Sequence, residues 1–181
     1  NLTHSHFSKN VEAHFAIIRK YAHLIIRLGL GVALAWGAVE GSIFGPEIPL
    51  GSIPGGLMWR PILFVVGVML VFGLFTRIAS LIALAAWVCV ASAKGAYTLN
   101  YINYLGEIMV LLLERTELYS LDEHYRWPSH IFHKKLPQWL EKLKTFGEQY
   151  SFPIIRISFG IAVIYAAVSI KVMHPALSIA V

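Results

Sequence analysis

Cysteine is nearly absent from this chain. The one thiol, Cys89, sits inside an apolar run. No disulfide framework can form within the chain, and no paired-cysteine metal knuckle is present. Charge is also scarce. Only 14% of the 181 residues are charged, against about 25% in a soluble domain. Acidic residues are the scarcer sign, 10 against 15 basic, for a formal net charge of +5. The basic residues are spread along the chain without the interleaved aromatics of a nucleic-acid patch, so no nucleic-acid partner is expected. The glycines fit no GxxxxGK[ST] phosphate loop, and no strand pattern precedes them. Residues 1–21 are polar and His-rich, and they hold no apolar core of a signal peptide.

Apolar residues fill the space that charge leaves. They make up 57% of the chain, and the mean hydropathy is +0.64. Five apolar runs stand out, at about 22–39, 58–75, 78–93, 99–113 and 152–173. A hydrocarbon core of about 30 Å takes roughly 20 helical residues. The runs therefore predict an all-α integral membrane protein: a four-transmembrane-helix bundle over 22–114, plus a fifth transmembrane helix and an outer tail within 151–181. Runs two and three are too long together for one span. Thr76-Arg77 divides them into a helical hairpin, because a single helix would bury Arg77 in lipid at about 2.5–3.5 kcal/mol or more.

Lysine and arginine set the orientation. With the N-terminus inside, twelve basic residues fall on the inner side, and Arg60, Lys94 and Lys171 fall outside. Residues 1–21 and 115–150 are then inner segments, in what is expected to be a prokaryotic cytoplasmic membrane. Within the linker, Trp139, Leu140, Leu143 and Phe146 share a helical stripe. That stripe fits a helix on the membrane surface or one packed on a partner subunit. Residues 41–57 are rich in Gly and Pro and predict an outer loop capping the bundle mouth.

Two segments resemble each other. YAHLIIRLGLGVALAWGAV (21–39) and YSFPIIRISFGIAVIYAAV (150–168) align at an offset of 129. The offset matches Tyr21 with Tyr150, Arg27 with Arg156 and Gly31 with Gly160. Run five then opens a second copy of the unit, in parallel orientation. Two alternatives stay open: the chain continues, or the second unit is reduced to one helix.

Four motifs together resemble the DoxX-like membrane proteins: IIRLGLGVALAWGAVE, GLFTR, YLGEIMVLLL and LYSLDEH. The resemblance spans about residues 21–125. It implies a four-helix membrane bundle of the DoxX/DoxD, thiosulfate:quinone oxidoreductase small-subunit type. It also implies association with other subunits of a membrane redox complex and a quinone as ligand, with no covalent cofactor. The family carries Lys shortly after the Gly that closes its first helix. Here Gly37 is followed by Glu40, and Lys171 stands near the equivalent place in the second copy.

The sharpest candidate is Glu107. Asn100, Asn103, Tyr104 and Glu107 are spaced i, i+3, i+4, i+7 and would share one helical face. A carboxylate inside a span is costly and must face the bundle or a partner. The cluster is either an interhelical hydrogen-bond clamp with tyrosines in the interfacial belt, or a protonatable site for a quinol. Arg27 and Arg156 either snorkel to the inner surface or, for Arg27, pair with Asp122 or Glu114 at the inner mouth. Asp122 also suits a helix cap. His4, His6, His14, His124, His130 and His133 read as solvent-facing, and no metal site is expected. Gly29, Ala33 and Gly37 form a small-residue stripe that permits close helix contact. Beside the redox-subunit reading stand two others: a non-catalytic anchoring or assembly subunit, and a transporter or proton conduit. No nucleophile–base pair supports catalysis by the chain alone.

Overall fold

A computed structural model describes residues 2–113 and 138–169, with side chains described for 21–113 and 150–169. The helices are α1 (Leu2–Glu40), α2 (Gly56–Phe72), α3 (Thr76–Lys94), α4 (Ile102–Leu113) and α5 (Gln138–Val168). Between α1 and α2 lies a small antiparallel ribbon, β1 (Ser42–Ile43) and β2 (Gly45–Pro49), followed by a 3-10 turn over Leu50–Ser52. A longer 3-10 segment, Gly95–Tyr101, leads into α4.

The packing follows residue size. On α1 the inward positions Arg27, Leu30, Gly31, Leu34 and Ala38 recur at helical spacing. The inward face of α3 is mostly small: Ala79, Ser80, Ala83 and Ala86 are buried. Large apolar side chains point outward instead, Leu57 at 78% and Met58 at 77% exposure among them. Exposed apolar side chains of this size suit a chain whose solvent is lipid. Three segments are long and apolar enough to cross a membrane: Tyr21–Glu40, Thr76–Leu113 and Tyr150–Val168. The second is folded back on itself, because Gly95 breaks it at φ 56° and α3 packs against α4. α2 is a shorter apolar helix of 17 residues, about 26 Å at about 1.5 Å per residue.

Helix contacts run in a ring. α1 lies most closely on α2, α2 on α3, α3 on α4, and α4 touches α1; α5 packs outside the ring on α4. The α1–α2 contact is made by glycine on glycine. A Cβ at Gly31 would sit 2.8 Å from the Gly67 carbonyl oxygen, and one at Gly67 would sit 2.6 Å from the Gly31 carbonyl oxygen. The stripe expected to make a close contact, Gly29, Ala33 and Gly37, is thus not the one that meets α2.

The α2–α3 hairpin has a local cause. Gly73 takes a left-handed φ of 67°, the Gly73 N–H donates to Leu70 O at 3.1 Å, and the Leu74 N–H to Met69 O at 2.8 Å. Those paired bonds satisfy the last carbonyls of α2 and turn the chain. The division therefore falls at 73–75, and Thr76-Arg77 opens α3 instead of lying in the turn. Arg77 is exposed.

Three boundaries differ from the sequence expectation. The polar segment 2–20 is helical and continuous with run one, so α1 spans 39 residues. The amphipathic stretch 138–149 is continuous with run five in a 31-residue helix through Pro153, not a separate surface helix. Run four is α-helical only from Ile102. The aligned arginines also differ: Arg27 is 2% exposed and faces inward, whereas Arg156 is exposed with its guanidinium 5.6 Å from the Phe152 ring centroid. Arg27 is thus packed in the interior of the described residues, and Asp122 and Glu114, its expected partners at the inner mouth, lie outside them.

Candidate functional site

The entrance to α4 is held by aromatic stacking and by the ribbon. Gly95–Tyr101 winds as a tighter helix before Ile102, so Asn100 lies in that 3-10 segment and not within α4. The Asn100 side-chain amide donates to Tyr97 O at 3.1 Å. The Trp87 indole N–H donates to Tyr101 O at 3.3 Å, anchoring the segment on α3. Ring centroids step from Tyr97 to Tyr101 at 6.2 Å, Tyr101 to Tyr104 at 6.5 Å and Tyr104 to Phe44 at 5.1 Å. The Tyr101 hydroxyl donates to the Glu47 carboxylate of β2.

Asn103, Tyr104 and Glu107 remain together on α4, all half-buried. Glu107 sits between buried Gly106 and buried Ile108, on the helix that carries both the α1 and the α5 contacts. On the α5 side, a Cβ at Gly106 would overlap the Ser158 side chain.

An open-sided apolar groove of about 680 Å³ runs along α1 from Ile25 through Gly29, Val32, Ala33 and Trp36 to Glu40. The ribbon residues Ser42, Phe44, Gly45 and Pro46 close its end, and Tyr104 is the one residue of α4 that lines it. Asn103 and Glu107 do not line it. Gly29, Ala33 and Gly37 all do, which is where the small-residue stripe points. A second apolar groove of about 220 Å³ lies between α1 and α2, lined by Val32, Ala35, Trp36, Val39, Phe64, Val68, Val71 and Phe72.

Three interactions carry no sequence motif. Trp36 Nε1 donates to Glu40 Oε1 at 2.7 Å. Arg60 donates from Nε to Ala38 O at 2.9 Å and from Nη2 to Val39 O at 2.6 Å. The third is the Tyr101–Glu47 bond. The i, i+4 spacing of Trp36 and Glu40 was available as a signal; the other two join distant parts of the chain. Cys89 is half-buried on α3. Among the described residues, no group of three His, Cys, Asp or Glu is placed to hold a metal. Asp122, Glu114, His124, His130, His133 and Lys171 lie outside the described residues, as do the side chains of His4, His6, His14 and Trp139.

No family model, curated protein or solved structure matches the chain.

Proposed function

We propose that this chain is a DoxX-like membrane subunit of a redox complex, with a quinone-class ligand bound beside Glu107. The observation that carries the reading is Glu107 itself. It is a half-buried carboxylate in an apolar helix, with a phenol and an amide on the same face. A carboxylate at that depth costs free energy unless a ligand or a helix partner uses it. In the redox reading, Glu107 accepts a hydrogen bond from a quinol hydroxyl or takes its proton. Tyr104 and Asn103 orient the ring, and Phe44 with Tyr101 supplies aromatic surface. In this reading electron transfer belongs to partner subunits of the complex.

The membrane arrangement that goes with this reading has five spans, α1 to α4 and α5, with the N-terminus inside. The apolar exterior supports it, as does the division of basic residues. Retention of quinone by the natively purified protein tests the function. Glu107→Gln removes the charge and keeps the shape. A hydrogen bond to a charged group contributes about 1.5–3 kcal/mol, so quinone affinity should fall by roughly ten- to a hundredfold. Fixed-stoichiometry co-purification with other subunits and no quinone at all would instead favour an anchoring subunit.

A further inference from the structure

We infer that the end of α1 and the start of α2 form a binding site for one two-chain phospholipid with an amine headgroup, of the phosphatidylethanolamine type. Its larger groove shares Phe44 and Tyr104 with the site proposed at Glu107, while Glu107 and Asn103 themselves lie outside that groove. Its basis is the relation between the two grooves. Val32 and Trp36 line both. They form a ridge along α1 with one apolar trough on each side. Two acyl chains joined at one glycerol need two such troughs that converge at one end.

The convergent end carries one charge for each trough. Glu40 lies one helical turn beyond Trp36, so it heads the larger groove, and its carboxylate accepts the Trp36 indole N–H. Arg60 lies one turn before Phe64 on α2 and shares a face with Phe64 and Val68. It does not line the smaller groove itself, but its bond to Val39 O places it beside Val39, where α1 ends its contribution to that groove. Its two bonds to Ala38 O and Val39 O hold it against the last turn of α1, immediately before Glu40. Those bonds use two of the five N–H donors of a guanidinium. A zwitterionic headgroup matches this pair: its phosphate meets Arg60 and its ammonium meets Glu40. Charge-assisted bonds of this kind are the strong ones. An anionic glycerol headgroup satisfies Arg60 and leaves Glu40 facing no cation.

Gly29 gives a clean way to block the site. A Cβ there meets nothing within 4 Å, in contrast to Gly31 next to it in the packed face. Gly29→Leu therefore starts from an open Cβ position and extends into the larger groove, which Gly29 lines.

The test is native mass spectrometry of the full chain, purified and exposed to vesicles of equimolar phosphatidylethanolamine and phosphatidylglycerol. The expected result is one retained phosphatidylethanolamine per chain, favoured at least tenfold over phosphatidylglycerol. Gly29→Leu should lower that retention at least tenfold with an unchanged thermal midpoint. Glu40→Gln should remove the headgroup preference, and Arg60→Gln should weaken both lipids. Equal retention of the two lipids by the natural chain would overturn the inference. So would full retention in Gly29→Leu, or a quinone or a second copy of the chain displaced by that substitution in place of lipid.

Discussion

The Tyr101 hydroxyl donates a hydrogen bond to the Glu47 carboxylate, joining the entrance of α4 to the β1–β2 ribbon across 54 positions of sequence. The bond fixes the ring that stacks on Tyr104, and Tyr104 in turn packs on Phe44 of the same ribbon. Ribbon and helix entrance are therefore held together at two points, Tyr101 on Glu47 and Tyr104 on Phe44.

Breaking that bond should cost stability once, not twice. Tyr101→Phe and Glu47→Gln should each lower the stability of the purified protein by about 1–2 kcal/mol. The double substitution should cost little more than either alone, because both remove the same interaction. Thermal unfolding in detergent measures all three. Additive losses would mean the two side chains act separately.

Gly31 and Gly29 should respond oppositely to the same replacement. Gly31→Leu drives a side chain into the backbone of α2, and overpacking of this kind costs about 1–3 kcal/mol or more. Gly29→Leu points into the open groove and should leave the unfolding midpoint unchanged. Equal destabilisation by both would contradict the glycine-on-glycine contact of Gly31 with Gly67.

Gly106→Val should loosen α5 from α4. The Ser158 side chain occupies the space that a branched residue at 106 would need. The observable is protease sensitivity of the α5 segment in the detergent-solubilised protein, which should rise while the α1–α2 pair stays protected. An unchanged digestion pattern would count against the contact.

The topology can be read by labelling. In a Cys89→Ser background, Ser52→Cys should react with a membrane-impermeant maleimide added to intact cells. Arg77→Cys should react only after permeabilisation. The reverse pattern would invert the orientation drawn from the basic residues.

Much of the helical plan was legible because apolar runs and basic residues obey simple physics. Among the described residues each run is mostly helical, and the α2–α3 break at 73–75 lies within four residues of Arg77. Other features were hidden for specific reasons. The helix from Leu2 to Lys20 has no apolar run to announce it; its continuity with run one carries it. The 3-10 winding of Gly95–Tyr101 cannot be separated from an α-helix by polarity, so the start of α4 at Ile102 was not visible. The small-residue stripe at Gly29, Ala33 and Gly37 was visible, but spacing alone cannot tell a helix contact from a groove floor. The partner of Gly67 on α1 proved to be Gly31, one of several glycines in that run.

The candidate site was legible in part. Asn103, Tyr104 and Glu107 stand together as helical spacing required. Their relation to the ribbon was not visible, since Glu47 and Phe44 come from a loop that spacing cannot place. Arg27 and Arg156 match in the aligned segments, yet one is buried and the other exposed. Sequence likeness did not carry over into equivalent packing.

The central claim is that Glu107 holds a quinone-class ligand. The most direct measurement is quinone extracted from the native complex and quantified against protein, for the natural chain and for Glu107→Gln. The account predicts near-stoichiometric quinone in the first and a loss of at least tenfold in the second, with the assembly intact. Equal quinone content in both, or none in the natural complex, would contradict it.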